Sequence, residues 1–234
     1  GLWWAGKCHN TQHGWKAFQY ICIGIGLQYV AVLIYAVLKY VGQGLGMEFP
    51  EVSFDYFQTG QSTMLVLLYT CILAPITEEL LFRGFLLKSL SVVSTRFGVI
   101  VTALLFGLMH GNVQQGILGV LVGLFLGKIV IRHNSLTPSI LVHIALNTSS
   151  TLISVLLALL PENIGNVAIL PLEFVVLALA VMGVAFWFGK ERKEPLPYPT
   201  QKQATRNRVF WSSPLLLLAF AALLGLMVYH AMAV

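Results

Sequence analysis

Charge is what this 234-residue sequence has least of: Asp, Glu, Lys and Arg make up 10% of it, against roughly 25% in a typical soluble domain. That scarcity excludes an ordinary water-facing surface. It also excludes intrinsic disorder, which requires low hydrophobicity together with high charge. Cysteine is scarce as well. Cys8, Cys22 and Cys71 are odd in number and show no C-x-x-C spacing, so a disulfide scaffold and the usual zinc or redox motifs are absent. Cys22 and Cys71 fall in apolar runs and read as packing residues. Acidic residues number 9 against 14 basic ones, a net charge of +5. The excess does not imply a nucleic-acid partner, because multi-span membrane proteins gather Lys and Arg on their cytoplasmic side for topological reasons.

What the chain does have is apolar length, with 57% hydrophobic residues and a mean hydropathy of +0.81. Runs of about 20 such residues are long enough to cross ~30 Å of hydrocarbon as helices. They lie at residues 17–39, 61–87, 97–111, 113–131, 136–160, 168–188 and 213–232. The expected fold is all-α, a polytopic transmembrane helical bundle of about seven spans around a central four-helix core. The expected organisation is an N-terminal span and external loop over 1–60, the core over 61–160, a sixth span over 161–188, a basic cytoplasmic linker over 189–212 and a C-terminal span over 213–234. The first residue is Gly1, and sequence upstream of it is expected to have been removed.

Charge placement supports this count. With the N-terminus inside and the C-terminus outside, every Lys and Arg except Lys39 and Arg83 falls on the cytoplasmic side, while the external loop carries Glu48, Glu51 and Asp55. Gly119, Gly123 and Gly127 recur at four-residue spacing, a small-residue stripe that lets neighbouring helices approach closely.

Ionisable groups inside the spans cost at least ~2.5 kcal/mol each at the bilayer centre, so the few present carry information. They occur in Ala74-Pro75-Ile76-Thr77-Glu78-Glu79-Leu80-Leu81-Phe82-Arg83-Gly84, in Phe106-Gly107-Leu108-Met109-His110 and in His143-Ile144-Ala145-Leu146-Asn147. Helical residues four apart share a face, whereas neighbours diverge by about 100°. Glu79 is therefore expected to pair with Arg83, leaving Glu78 for chemistry, with Phe106 beside His110 and His143 beside Asn147. Pro75 removes a helical hydrogen bond and frees a carbonyl just ahead of the Glu pair. Measured from the nearest cytoplasmic base at 1.5 Å per residue, Glu78 lies ~15 Å deep, His143 ~16 Å, His110 ~21 Å and Asn147 ~22 Å. One buried layer can hold all four.

A carboxylate and a neutral imidazole facing one water can take a proton from it, which assigns Glu78 and His110 as the base pair. Attack on a carbonyl then builds a negative oxygen that wants N–H donors, which His143 and Asn147 offer. The constellation fits amide hydrolysis by water within the membrane. A zinc site built from Glu78, His110 and His143 is the alternative, although no H-E-x-x-H spacing is present. A proton-coupled transporter or a peptide-binding scaffold is the reading from another class, and the chain lacks the internal repeats common in transporters.

The three motifs, Glu78-Glu79-x-x-x-Arg83, Phe106-x-x-x-His110 and His143-x-x-x-Asn147, in this order on successive apolar segments, resemble those of the CPBP family, the CAAX protease and bacteriocin-processing (Abi) intramembrane endopeptidases that include the type II CAAX prenyl endopeptidase. The resemblance covers residues 61–160. It implies an intramembrane protease with Glu78, His110, His143 and Asn147 catalytic and Glu79, Arg83 and Phe106 in support. It further implies a membrane-associated or lipid-modified peptide or protein substrate, a metal-free glutamic mechanism with a metalloprotease as alternative, and residence in a bacterial cytoplasmic membrane.

Overall fold

The computed structural model describes residues 13–46, 63–160, 162–189 and 211–232. All regular structure among these residues is helical: α1 (His13–Gly44), α2 (residues 63–90), α3 (Thr95–Leu108), α4 (Val113–His133), α5 (Thr137–Leu159), α6 (Glu162–Gly189) and α7 (Pro214–Met232). An all-α fold is what these sequences must adopt in lipid, because hydrocarbon offers backbone N–H and C=O groups no partner outside their own helix. The external loop with Glu48, Glu51 and Asp55, the linker at 190–210, Lys7 and Cys8 lie outside the described residues. Cys22 and Cys71 are both buried free thiols, as their apolar surroundings predict.

Among the described residues, five stretches are individually long and apolar enough to cross a bilayer: Trp15–Gly44, Met64–Leu90, Val113–His133, Thr137–Leu156 and Leu170–Gly189. The chain is thus a multi-pass membrane protein. The third expected span is shorter than its apolar run. α3 has 14 residues, a rise of only ~21 Å, because the chain turns at Met109 and His110 and Gly111 takes a φ of 70°. His110 accordingly sits in the turn after α3, not within the helix.

Local sequence sets these ends. Ser94 caps α3, its Oγ accepting from Phe97 N–H at 3.2 Å in extended backbone. Asn112 does the same for α4 by accepting from Gln115 N–H at 2.8 Å. Such caps satisfy helix N–H groups that have no intrahelical partner.

The described residues fall into two compact units, one within Gly1–Gly26, Val52–Leu80 and Asn134–Glu194, the other within Leu27–Glu51, Leu81–His133 and Pro195–Val234. In the first, small residues bring α1 against α5 and α6. A Cβ on Gly24 would press on the Leu146 side chain at 2.7 Å, and one on Gly183 would collide with the Cys22 carbonyl. In the second, α3 packs on α4 along the glycine stripe. A Cβ on Gly119 would meet Gly107 Cα at 2.9 Å, one on Gly123 would meet Ala103 Cα at 3.1 Å and one on Gly127 would meet Val99 at 3.2 Å. The stripe is a packing surface, made necessary because lipid supplies no hydrophobic drive for helix association. On its other flank α3 receives α7, where Val93, Phe97 and Val101 pack with Phe220, and Trp211 meets Phe97 edge-on at 5.3 Å between centroids.

Candidate active site

The helix that carries the glutamates is irregular. Within α2, two stretches, Tyr69–Leu73 and Leu80–Leu87, are wound as π-helix, and an α-helical Ala74–Glu79 lies between them. Ala74 N–H bonds to Tyr69 O, five residues back. In that register the next N–H would serve Thr70 O, but the next residue is Pro75, which has none. Thr70 O is taken instead by Asn147 Nδ2 from α5 at 3.1 Å. Thr77 Oγ1 meets the Leu73 and Ala74 carbonyls, both at 2.9 Å. π-turns within α-helices are frequent at functional sites because they re-aim side chains.

Four residues further on, the same helix faces His143. This imidazole is buried and contacts both glutamates, Nδ1 at 3.1 Å from Glu79 Oε1 and Nε2 at 3.6 Å from Glu78 Oε2. Helical spacing led to the expectation that Glu78 and Glu79 diverge, with Glu79 beside Arg83, Glu78 without a partner in its own helix and His143 beside Asn147. The structure adds a contact that spacing along one helix cannot show, because a ring with nitrogens on two sides reaches two carboxylates 100° apart on the facing helix. The glutamates are nevertheless unequal: Glu79 is fully buried, whereas the Glu78 side chain retains 21% exposure. The Nδ1 contact with the buried Glu79 sets the ring's orientation.

In the second unit His110 is held with comparable care. Its Nδ1–H donates to Phe106 O at 2.7 Å, which in the neutral ring leaves the lone pair on Nε2. Its ring meets Phe106 edge-on at 5.0 Å between centroids. A Cβ on Gly119 would stand 3.3 Å from His110 Nδ1, so this glycine also makes room for the ring. Asn112 Nδ2 donates to the His110 carbonyl at 3.1 Å and to Gln115 Oε1 at 2.7 Å, tying the turn to the start of α4. Arg83 is fully buried, its guanidinium 4.4 Å above the Phe106 ring with Nη2 donating to Gly123 O at 3.4 Å. Cation–π contact of this kind is worth more in a desolvated site than at a surface.

Thr70, Gly119 and Asn112 escaped the sequence reading. Thr70 contributes through a backbone carbonyl, which has no residue-type signature; the one pointer to it was Pro75. Gly119 was legible only as part of a packing stripe. Among the described residues no group of three or more His, Cys, Asp or Glu side chains is arranged to hold a metal ion. Glu173 is exposed on α6.

Residues 60–149, which contain all three motifs, match the family described as Type II CAAX prenyl endopeptidase Rce1-like. The match falls on the region that carries the motif resemblance and supports it, at the level of the family, as a likeness to a CAAX-type intramembrane endopeptidase. No curated protein and no solved structure matches the chain.

Proposed function

We propose that this protein is a membrane-embedded endopeptidase that hydrolyses a peptide bond in a membrane-associated, lipid-modified protein or peptide by activated water, without a metal. The observation that carries the reading is the His143 imidazole, pinned by the buried Glu79 and turned toward Glu78, the one of the two carboxylates that stays partly exposed. Glu78 takes a proton from water, and the resemblance of the motifs assigns His110 to assist it. The hydroxide attacks the scissile carbonyl carbon, and the oxyanion is met by Asn147 Nδ2–H and His143 Nε2–H. When the C–N bond breaks, the proton held by Glu78 passes to the leaving amine, which closes the balance of the cycle.

The His143 ring is proposed to carry both protons throughout, one on Nδ1 toward Glu79 and one on Nε2 toward the oxyanion, so that no further proton enters the cycle. An imidazolium flanked by Glu79 is therefore the oxyanion partner in this reading. The exposed carboxylate, the pinned imidazole and the tautomer set on His110 by Phe106 O all support hydrolysis over passive peptide binding. Cleavage of prenylated CAAX-type peptides by the purified protein in proteoliposomes tests it. Glu78→Gln, which keeps the side chain's shape and removes its basicity, is expected to abolish turnover in folded protein. Full turnover by that variant, or binding of the peptides without any hydrolysis by the unaltered protein, would refute the mechanism.

A further inference from the structure

A carboxamide can present either its oxygen or its nitrogen to a substrate, and an oxyanion donor must present nitrogen. In Asn147 that choice is made by a backbone atom of α2. Thr70 O can only accept, so the atom 3.1 Å from it is Nδ2, and once one Nδ2–H is engaged the amide plane is set and the other N–H has a defined direction. Thr70 O is open to Asn147 because the five-residue register ends there on Pro75, which is buried and donates no proton. The Thr70 side chain is not involved, since its Oγ1 donates to Val66 O at 2.8 Å.

We infer that Pro75 is a positioning residue of the hydrolytic site: by lacking an N–H in a π-wound turn it reserves the Thr70 carbonyl for Asn147 and so orients the oxyanion donor. The inference rests on the reading of Asn147 as that donor. A helix that closed normally here would use its carbonyls internally, and Asn147 would be free to rotate.

The test is a double-mutant cycle read in proteoliposomes. Asn147→Ala is expected to lower kcat by about 10²- to 10³-fold with KM little changed. Pro75→Ala, which introduces an N–H able to take Thr70 O, is expected to lower kcat by about tenfold or more, again at nearly constant KM, and to shrink the further effect of Asn147→Ala. Replacing Pro75 by the α-hydroxy analogue of alanine keeps the alanine side chain but has no N–H. It is expected to return kcat to within about twofold of the unaltered protein, the scatter seen for independent sites. A readout apart from activity comes from isotope labelling of Thr carbonyl carbons together with Cys nitrogens, which isolates the Thr70 carbonyl because Thr70-Cys71 is the sequence's sole Thr-Cys pair. Its resonance should shift on Asn147→Ala in the Pro75 protein and not in Pro75→Ala. Multiplicative effects of the two substitutions, an ester variant as impaired as Pro75→Ala, or a Thr70 resonance indifferent to Asn147 would each overturn the role of Pro75 alone. An Asn147→Ala variant with unchanged kcat would instead overturn the oxyanion reading beneath it.

Discussion

Glu79→Gln separates the spacing argument from the structure most sharply. On spacing alone Glu79 serves Arg83, and its loss should register mainly in stability. In the structure Glu79, fully buried, lies 3.1 Å from His143 Nδ1, so under the proposed mechanism its charge bears on the oxyanion partner. An imidazolium and a carboxylate with charge centres ~4 Å apart attract by about 4 kcal/mol at an effective dielectric of about 20. Deleting one preorganised oxyanion donor costs about 2.7–4 kcal/mol in measured cases. The two figures agree on a fall in kcat of about 10²- to 10³-fold, since ~1.4 kcal/mol is tenfold. Glutamine keeps an acceptor and nearly the same volume. The variant should therefore fold, with the resting contact weakened by only about 1–2 kcal/mol, the margin between a charge-assisted and a neutral hydrogen bond. Steady-state cleavage of a quenched lipidated peptide, paired with thermal unfolding of the same preparations, checks both halves. A variant with lowered Tm but unchanged kcat per folded molecule would refute the argument, because it would make Glu79 a structural residue only.

Other outcomes follow from the same geometry. Prolonged chelation should leave peptidase activity intact and metal analysis should find less than one ion per chain; one tightly bound zinc whose removal abolishes activity would recast Glu78, His110 and His143 as ligands. Gly107→Ala should destabilise the protein by about 1–3 kcal/mol, an overpacking cost, because the new Cβ would lie 2.5 Å from Gly116 O; an unchanged Tm in detergent would contradict the close approach of α3 and α4. Reporter fusions should place residues 190–208, with their cluster of Lys and Arg, on the cytoplasmic face; external labelling of this segment would reverse the topology.

How much of this was legible beforehand depends on which physical rule was at work. The all-α character followed from composition, because lipid forbids unsatisfied backbone and long apolar runs have one solution there. The candidate residues followed from cost, since Glu78, Glu79, Arg83, His110, His143 and Asn147 stand out against spans that otherwise hold almost nothing polar. Pairings were less legible. Spacing along one helix says which side chains share a face but is silent about what stands opposite. It left Glu78 and Glu79 pointing apart, and only the placement of α5 against α2 put a two-sided imidazole where both could reach it.

The sequence by itself determined a multi-pass helical membrane protein and three motifs that resemble those of an intramembrane endopeptidase family, because both depend on residue type and order along the chain. Only the tertiary structure decided the winding of α2, the tautomer that Phe106 O imposes on His110 and the use of Thr70 O by Asn147. Each of those is a hydrogen bond to a backbone carbonyl. Every residue carries that group, so no pattern of side chains can mark which one is left open until the helices are wound and packed.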